Sequence, residues 1–370
     1  MASDQELIHR IALSLLKGIG PVNARNLVAY CGGVDALFTD TKVRRSLEKV
    51  PGIGPTLAAS ILDTSVLKAA EKQLAYARKH GIRLLFYLDA AYPKRLKLCD
   101  DAPVLLHVKG NADLDAERSV AIVGTRSPTP QGKRFTEELV EGLAASGAVI
   151  VSGLAYGVDI IAHRSALKAG LRTVGCVAHG LDRLYPGEHA GTAKEMAEQG
   201  ALVSELPSGG TFVPGNFPAR NRVIAGLSDC TVVIESGLKG GSLITADIAN
   251  SYDREVMAVP GRPGDAKSLG CNRLIKDSKA HLITGADDLL KLMGWEPKPA
   301  KKAPVQAALF ADLLPEEQAV VDVLKDKGRV GIDDLCILSR IPQHKAAGIL
   351  LNLELNGMVR TLPGKVYQLG

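Results

Sequence analysis

The chain has 370 residues, enough for two or three domains, and carries 45 Lys and Arg against 40 Asp and Glu. The resulting charge of +5 permits a polyanionic partner without requiring one. The N-terminus lacks a signal-peptide pattern, no apolar run approaches the roughly 20 residues of a membrane span, and the six cysteines form no Cys-x-x-Cys pair. We therefore expect a cytoplasmic protein with no membrane partner and no structural zinc site. Aromatic residues make up only 4%, which argues against an extensive stacking platform for bases.

Residues 1–80 predict a small helical domain of the SAM or helix-hairpin-helix type. Two glycine turns, Lys17-Gly18-Ile19-Gly20 and Gly52-Ile53-Gly54, each precede a segment with helical periodicity. In a helix-hairpin-helix the backbone N–H groups of such a turn hold a DNA phosphate. Secondary DNA contacts are therefore predicted at Lys17, Gly18, Gly20, Gly52 and Gly54. The same glycines would also suit a helical bundle that only needs tight turns, and the sequence leaves both interpretations open.

Residues 81–295 predict an α/β domain. Residues 82–111 indicate two connector strands, around a turn at 91–96, that join the central sheet. Short apolar segments then alternate with amphipathic ones, which predicts an extended Rossmann-like, doubly wound, mainly parallel sheet. The predicted strands are 120–123, 149–151, 173–178, 201–204, 231–236 and 255–259. The predicted helices are 131–146, 158–169, 190–199, 221–227 and 243–252.

The C-terminal fifth predicts a linker and a third domain. Residues 296–308 are rich in Pro and Lys, as in a linker. Residues 309–370 predict a winged-helix domain, with helices at 315–327, 332–338 and 342–356 and a hairpin over 358–369 that turns at Pro363-Gly364. Phe310 to Gly370 holds seven basic and eight acidic residues, so we expect protein contacts or regulation rather than the main DNA contact. The predicted core positions of the last helix are Ile349, Leu350, Leu353 and Leu355.

One stretch predicts an anion site. The apolar segment 231–236 is followed by a glycine turn and then by a predicted helix, whose N-terminus would present backbone N–H groups and a positive dipole end. Cations stand near this turn, which indicates a phosphate-binding mouth at the C-terminal edge of the sheet. The residues of the mouth are Arg220, Asn221, Arg222, Lys239, Gly240, Gly241, Ser242 and Thr245. Turns after neighbouring strands add Gly124, Thr125, Arg126, Ser152, Gly153 and Gly180, although glycines at these turns could also serve only tight packing.

Several other chemistries are disfavoured. The first turn lacks the Gly-x-Gly-x-x-Gly fingerprint of a dinucleotide site, no phosphate-binding P-loop is present, and no nucleophile elbow supports covalent catalysis. Asp159 and His163 lie four residues apart on a predicted helix, but two ligands do not make a metal site, and a helix-start carboxylate beside a semi-buried histidine is favoured. Glu235 and Asp182, near strand ends, could be general acids or bases or could orient the basic residues. We therefore predict no cofactor and no metal.

Five motifs occur in an order that resembles the DprA (Smf) family of bacterial DNA-processing proteins. They are Ala121-Ile122-Val123-Gly124-Thr125-Arg126, residues 152–159, Gly180-Leu181-Asp182 with Tyr185-Pro186, Phe217-Pro218 with Arg220-Asn221-Arg222, and Gly241-Ser242 with Thr245-Ala246. The resemblance implies a homodimeric, non-enzymatic protein that binds single-stranded DNA, protects incoming DNA and loads the RecA recombinase in natural transformation. It assigns the basic DNA contacts to Arg126 and Lys239, with backbone help from the Gly240–Ser242 turn.

The sequence departs from the family pattern at two places, and one alternative stays open. Ala178-His179-Gly180 stands where the family usually has Gly-x-Gly, and 277–280 replaces a more usual Gly-Ala. The alternative is a nucleotide phosphoribohydrolase of the lysine-decarboxylase-like group. Such enzymes carry Pro-Gly-Gly-x-Gly-Thr-x-x-Glu at a comparable turn, whereas residues 239–247 here lack the second glycine, Thr and Glu arrangement.

Overall fold

A computed structural model describes residues 3–63, 65–295, 313–356, 358–362 and 366–369. The predicted linker 296–308 and the predicted hairpin turn Pro363-Gly364 lie outside these residues. The chain divides into two compact units, Met1–Glu296 and Pro297–Gly370, and each is treated by itself. Among the described residues no helix has both the length and the apolar character that a membrane span requires.

The first unit begins with six helices. Ser3 caps the first of them by accepting a hydrogen bond from the backbone N of Glu6 at 3.2 Å, and Pro21 and Pro55 open the second and fifth. The helices pack around a core that also includes Phe86 and Leu105 of the first two strands, so the helical segment shares its core with the edge of the sheet. The helices are α1 (Asp4–Leu15), α2 (Pro21–Cys31), α3 (Val34–Thr39), α4 (Thr41–Arg44), α5 (Pro55–Leu62) and α6 (Ser65–Lys79).

A nine-stranded sheet forms the centre of the first unit. Its strands are β1 (Arg83–Phe86), β2 (Leu105–Gly110), β3 (Ser119–Val123), β4 (Val149–Ser152), β5 (Thr173–Cys176), β6 (Ala201–Ser204), β7 (Cys230–Val233), β8 (Glu255–Ala258) and β9 (His281–Leu282). Their order is β1-β2-β6-β5-β4-β3-β7-β8-β9. In this spatial order the seven strands β6, β5, β4, β3, β7, β8 and β9 are parallel to one another. The connector strands β1 and β2 add antiparallel at one edge. This is the Rossmann-like, mainly parallel sheet that the alternating pattern predicts.

Helices cover both faces of the sheet, so each face has its own apolar core. The helices are α7 (Lys94–Lys97), α8 (Pro130–Gly142), α9 (Val158–Lys168), α10 (Ala190–Gln199), α11 (Asn216–Gly226), α12 (Gly241–Ser251), α13 (Leu269–Lys276) and α14 (Ala286–Leu292). Three elements, α13, β9 and α14, are not predicted from the sequence, and α7 lies where only a turn is predicted.

Two element boundaries near the predicted mouth differ from expectation. The strand predicted over 231–236 ends at Val233, the last residue that pairs with β8. Ile234 to Ser236 remain buried after the chain leaves the sheet, which explains why the predicted strand is too long. The helix predicted from Asn221 begins five residues earlier, at Asn216, and carries Phe217 and Pro218 in its first turn. Proline is compatible with a first turn because its missing N–H has no intrahelical acceptor there.

Within its described residues the second unit has three helices and a three-stranded sheet of order β10-β12-β11, as a winged helix requires. The elements are α15 (Pro315–Lys327), β10 (Arg329–Gly331), α16 (Ile332–Ser339), α17 (Gln343–Leu355), β11 (Val359–Leu362) and β12 (Val366–Leu369). Leu350 and Leu353 are buried as predicted, and Ile349 packs against the same cluster. Leu355 is 77% exposed, so its predicted core position is wrong: it is the last residue of α17 and lies beyond the final buried turn.

Candidate nucleic-acid interface

The strand order places a crevice at the C-terminal ends of β3 and β7. From β3 the chain proceeds to β4 on one side and later to β7 on the other, so the loops after β3 and β7 diverge. Such switch points are where open α/β sheets bind ligands. A cavity of about 330 Å³ lies here, and we name it the switch-point pocket. Its lining includes Gly124, Thr125, Arg126, Asp159, Phe217, Arg220, Asn221, Ser236, Gly240, Gly241, Ser242, Ile244 and Thr245.

The N-terminus of α12 forms one wall of the pocket. Gly240 precedes the helix in an extended conformation, and its close approach to Ser236 excludes a side chain, since a Cβ there would lie 2.0 Å from Ser236 Oγ. The first N–H groups of a helix have no intrahelical acceptor, so they are available to a ligand. Ser242 is only 8% exposed, and its Oγ has no hydrogen-bond partner among the described residues. An unpartnered hydroxyl beside the first N–H groups of a helix adds a further polar group to this wall of the pocket.

Two of the predicted cations are exposed, Arg126 in the lining of the pocket and Lys239 in the turn beside it. Arg126 follows β3, and its guanidinium carbon lies 5.7 Å from the centre of the Phe217 ring. Lys239 is exposed in the turn that leads into α12. Both can reach an anion without first losing a protein partner, because no ion pair involves either of them among the described residues. Together with the α12 N-terminus they suit a phosphodiester rather than an apolar ligand.

Arg220 does not lie where its guanidinium could bind a phosphate of an external ligand. It is buried beneath the pocket, and its Nη1 donates to the carbonyl oxygen of Gly153 at 2.5 Å and to that of Cys176. A Cβ at Gly153 would lie 2.6 Å from the same Nη1, so glycine is needed for this close approach. Burial lowers the pKa of Arg220 and raises that of the neighbouring Asp159 carboxyl, with each opposing the other's shift through its charge. Arg220 therefore joins the loops after β4 and β5 from below.

Arg222, Ser152 and Gly180 do not line the switch-point pocket. Arg222 donates to the carbonyl oxygen of Asp101 and to the carboxylate of Glu205. The Ser152 hydroxyl donates to the carbonyl oxygen of Ile122 at 2.6 Å. Gly180 is buried where a Cβ would lie 2.3 Å from the carbonyl oxygen of Pro207, so close packing explains this glycine. The structure thus brings Arg126 and the glycine turn before α12 together, whereas Arg222, Ser152 and Gly180 support the surrounding backbone.

The remaining predicted residues form the rim and floor. The backbone N of Thr125 donates to the carbonyl oxygen of Glu235 at 2.7 Å, which ties the loop after β3 to the loop after β7. Asn221 Nδ2 lies 3.4 Å from the carbonyl oxygen of Gly241, and Thr245 is buried one turn into α12. Sequence reasoning did not single out Ser236 or Ile244 as pocket residues. Neither stands in a glycine turn or carries a charge, so no local signal marks them.

The candidate acid, base and metal residues have other partners. The Glu235 carboxylate accepts hydrogen bonds from Thr129 N at 2.8 Å and Thr129 Oγ1 at 2.5 Å, and Asp182 pairs with Arg183 at 3.3 Å. Asp159 accepts from Gly153 N at 3.1 Å. His163 is fully buried rather than semi-buried, and its Nδ1 lies 2.7 Å from Thr173 Oγ1. No group of three or more potential metal ligands occurs in the part of the chain that the structure describes.

The two N-terminal glycine turns have matching geometry. Gly18 and Gly52 have positive φ angles of 76° and 83°, which favour glycine, and Gly20 and Gly54 are the extended residues before α2 and α5. Each turn also packs on the helix that follows the other, since a Cβ at Gly18 would lie 2.9 Å from Leu57 and one at Gly52 would lie 2.8 Å from Asn23. Mutual packing and positive φ explain Gly18 and Gly52, whereas a Cβ at Gly20 or Gly54 would meet no atom within 4 Å. Lys17 is exposed beside the first turn.

A larger cavity of about 820 Å³ lies on the other side of Glu235, along the start of α8 and the loop after β8. Its basic lining residues are Arg134, Arg262 and Lys267, and it contains none of the Gly124–Arg126 and Gly240–Ser242 turns. We take the smaller pocket as the candidate site because it lies at the switch point and holds the orphaned Ser242 hydroxyl.

Comparison with protein families covers most of the chain. The family model for DNA recombination-mediator protein A matches residues 83–294, and the model for the DprA winged helix domain matches residues 297–365. Among individual relatives, Protein Smf of Synechocystis is 34% identical over 300 residues, which cover 80% of this chain and 74% of that protein. Protein Smf of Escherichia coli is 32% identical over 305 residues, covering 82% of this chain and 81% of the relative.

Two solved structures are also similar. The X-ray structure of DNA processing protein A from Streptococcus pneumoniae has a TM-score of 0.64 and 32% identity, and the match covers 79% of this chain and 98% of that chain. A structure of DNA processing protein A from Helicobacter pylori has a TM-score of 0.52 and 34% identity, covering 57% of this chain and 95% of that chain. The latter is described for its single-stranded DNA binding mode.

Proposed function

The chain belongs to the DprA (Smf) family, and from this premise we propose that it binds single-stranded DNA through the switch-point pocket. The observation that carries the proposal is the N-terminus of α12, which lines the pocket together with Arg126 and where the buried Ser242 Oγ has no hydrogen-bond partner among the described residues. The helix N-terminus supplies N–H donors and the arginine supplies charge, which are the two features that backbone phosphates need. Lys239 would add a second charge at the entrance.

The test is a salt series of binding to a labelled single-stranded oligonucleotide. The double variant Arg126→Glu, Lys239→Glu should bind at least tenfold more weakly than wild type at a fixed salt concentration near 100 mM. Its plot of log affinity against log salt should be flatter by about 0.7 for each lost phosphate contact. The control is Lys194→Glu, Lys291→Glu, which makes the same change in net charge at exposed positions on α10 and α14. Wild-type affinity and slope in the pocket variant would place the DNA elsewhere.

We propose that the protein does not catalyse a reaction on the DNA. Glu235 and Asp182, the candidate acids or bases, do not line the pocket, and Asp159, which does, is held by a backbone N–H. Incubation with nucleoside monophosphates distinguishes this proposal from the phosphoribohydrolase alternative. Release of free base that requires the pocket residues would favour the enzyme.

The finer role follows from the family resemblance. We propose a cytoplasmic homodimer that protects incoming single-stranded DNA and loads RecA onto it during natural transformation. The free state of all six cysteines agrees with a reducing compartment. The measurement is RecA assembly on an oligonucleotide already coated with single-strand-binding protein, with the Arg126→Glu, Lys239→Glu variant as the negative control. Equal assembly with the variant would separate RecA loading from the pocket.

A further inference from the structure

Three aromatic rings meet beside the switch-point pocket, and we name Tyr185, Phe212 and Phe217 the aromatic cluster. The ring centres of Tyr185 and Phe212 are 5.1 Å apart, those of Phe212 and Phe217 5.5 Å, and those of Tyr185 and Phe217 6.0 Å. The residues come from three separate segments: the loop after β5, the loop after β6 and the first turn of α11. Tyr185 and Phe217 stand in two of the motifs described above, but only the fold brings them together with Phe212.

The cluster faces solvent instead of the core. Tyr185 is 44% exposed and Phe212 is 37% exposed. Within the described residues only four aromatic side chains of Phe, Tyr or Trp are exposed to this degree, and three of them, Tyr156, Tyr185 and Phe212, lie at this edge of the sheet. Burying these rings would stabilise the fold, so their exposure beside a charged pocket favours a role in binding.

The cluster is continuous with the phosphate site. Phe217 lines the switch-point pocket and also a narrow crevice shared with Tyr156, Tyr185 and Arg126. The Arg126 guanidinium lies over the Phe217 ring. An anionic backbone held at the α12 turn would thus pass a cation and then reach exposed rings. Single-stranded nucleic acids are bound by this combination of cations for phosphates and rings for unpaired bases.

We propose that the aromatic cluster stacks bases of the strand whose phosphates occupy the switch-point pocket, with Tyr185 and Phe212 supplying the accessible ring faces. This inference rests on the proposed function and adds a base-contacting surface to its phosphate site. The 4% aromatic content argues against an extensive platform, and a group of three rings is instead a local one that serves one or two bases. Every base has a ring face, so the contact is tolerant of sequence.

The charge beside the cluster favours bases over a protein occupant. A second copy or another protein covering the rings would also have to cover Arg126, which is exposed and would lose water without a known counter-ion. A nucleic acid strand supplies that counter-ion through its own phosphates.

The experiment compares two labelled oligonucleotides of about 20 nucleotides: oligo-dT, and the same backbone with abasic tetrahydrofuran sites. Both carry the same phosphates, and only the first has bases to stack. Wild type should prefer oligo-dT by about tenfold or more. The variant Tyr185→Leu, Phe212→Leu keeps apolar side chains but removes the rings, so it should lose about tenfold in affinity for oligo-dT and less than twofold for the abasic strand. Its salt slope should match wild type, because no phosphate contact is removed.

Two control variants sharpen the result. Tyr30→Leu removes an exposed ring on α2 and should leave both affinities unchanged. Tyr185→Phe keeps the ring without the hydroxyl and should retain the preference for oligo-dT. Circular dichroism of each variant verifies that the fold is intact.

Several outcomes would overturn the inference while the proposed function stands: equal wild-type binding to the two oligonucleotides, equal weakening of both by the Leu variant, or wild-type affinity of the variant for oligo-dT. A change in oligomeric state of the Leu variant in sedimentation equilibrium would assign the cluster to an interface between copies and would also overturn it. Absence of wild-type binding to either strand would instead reject the proposed function and this inference together.

Discussion

Lowering the pH from 7 to 5 is expected to destabilise the first unit through His163. This histidine is fully buried in α9, and burial lowers its pKa from 6.5 to about 3. The Thr173 hydroxyl donates its own hydrogen to the carbonyl oxygen of Ile150 at 2.8 Å, so His163 Nδ1 must carry the hydrogen that Thr173 Oγ1 accepts. Protonation would then add a charged N–H at Nε2, which has no hydrogen-bond partner in the described residues.

The sign and size of the effect follow from the two pKa values. The unfolded chain takes up a proton on His163 near pH 6.5, whereas the folded chain does so only near pH 3. Stability is therefore present above pH 6.5 and is lost as the pH falls from about 6.5 towards 3. At pH 5, which is 1.5 units below the unfolded-state pKa of 6.5, proton uptake by His163 in the unfolded chain lowers the free energy of unfolding by about 2 kcal/mol.

The assay is urea unfolding at pH 7 and pH 5, followed by the fluorescence of Trp295, the single tryptophan, which is partly buried against the core of the first unit. The matched variant is His163→Asn, whose amide can donate to Thr173 but does not titrate. It should be less stable at pH 7 but should lose about 2 kcal/mol less than wild type on going to pH 5. His107, whose pKa burial lowers to about 4, contributes equally to both proteins and cancels. Identical pH dependences would refute a folded-state His163 that stays neutral with an unpartnered Nε2.

Two further predictions concern DNA. Homopolymers of equal length with little secondary structure should bind within a hundredfold of one another, because the phosphate contacts and any stacking are sequence-tolerant; a larger spread would point to base-specific hydrogen bonds. Truncation after Trp295 should lower single-stranded affinity less than tenfold at fixed salt, because α17 has only Lys345 as a charged cation and that lysine pairs with Glu316 at 3.1 Å; a greater loss with the first unit still folded would assign DNA contacts to the winged helix.

The fold could be predicted from the sequence where the pattern of apolar residues matches their burial in the structure. The parallel strands β3 to β7 are short apolar segments buried on both faces, so their continuous apolar character marks them directly, and the glycine turn before α12 marks a helix start. Short edge elements were missed because two residues of β9, both exposed, leave no apolar pattern. The residue types at the site were also accessible, since a cation or glycine at a predicted strand end indicates an anion site. The directions in which these side chains point were not accessible, because they depend on neighbours far away in sequence.

Arg126, Arg220 and Arg222 show why a shared motif does not imply a shared task. All three are cations near the same strand ends, and sequence alone treats them alike. Arg220 is buried because Gly153 leaves room for its guanidinium below two carbonyl groups, and Arg222, two residues along α11, points towards Glu205. Since residues two apart on a helix lie on different faces, at most one of this pair can face a given pocket. The exposed Arg126 thus remains free for a ligand because Arg220 already holds the loops that shape its site.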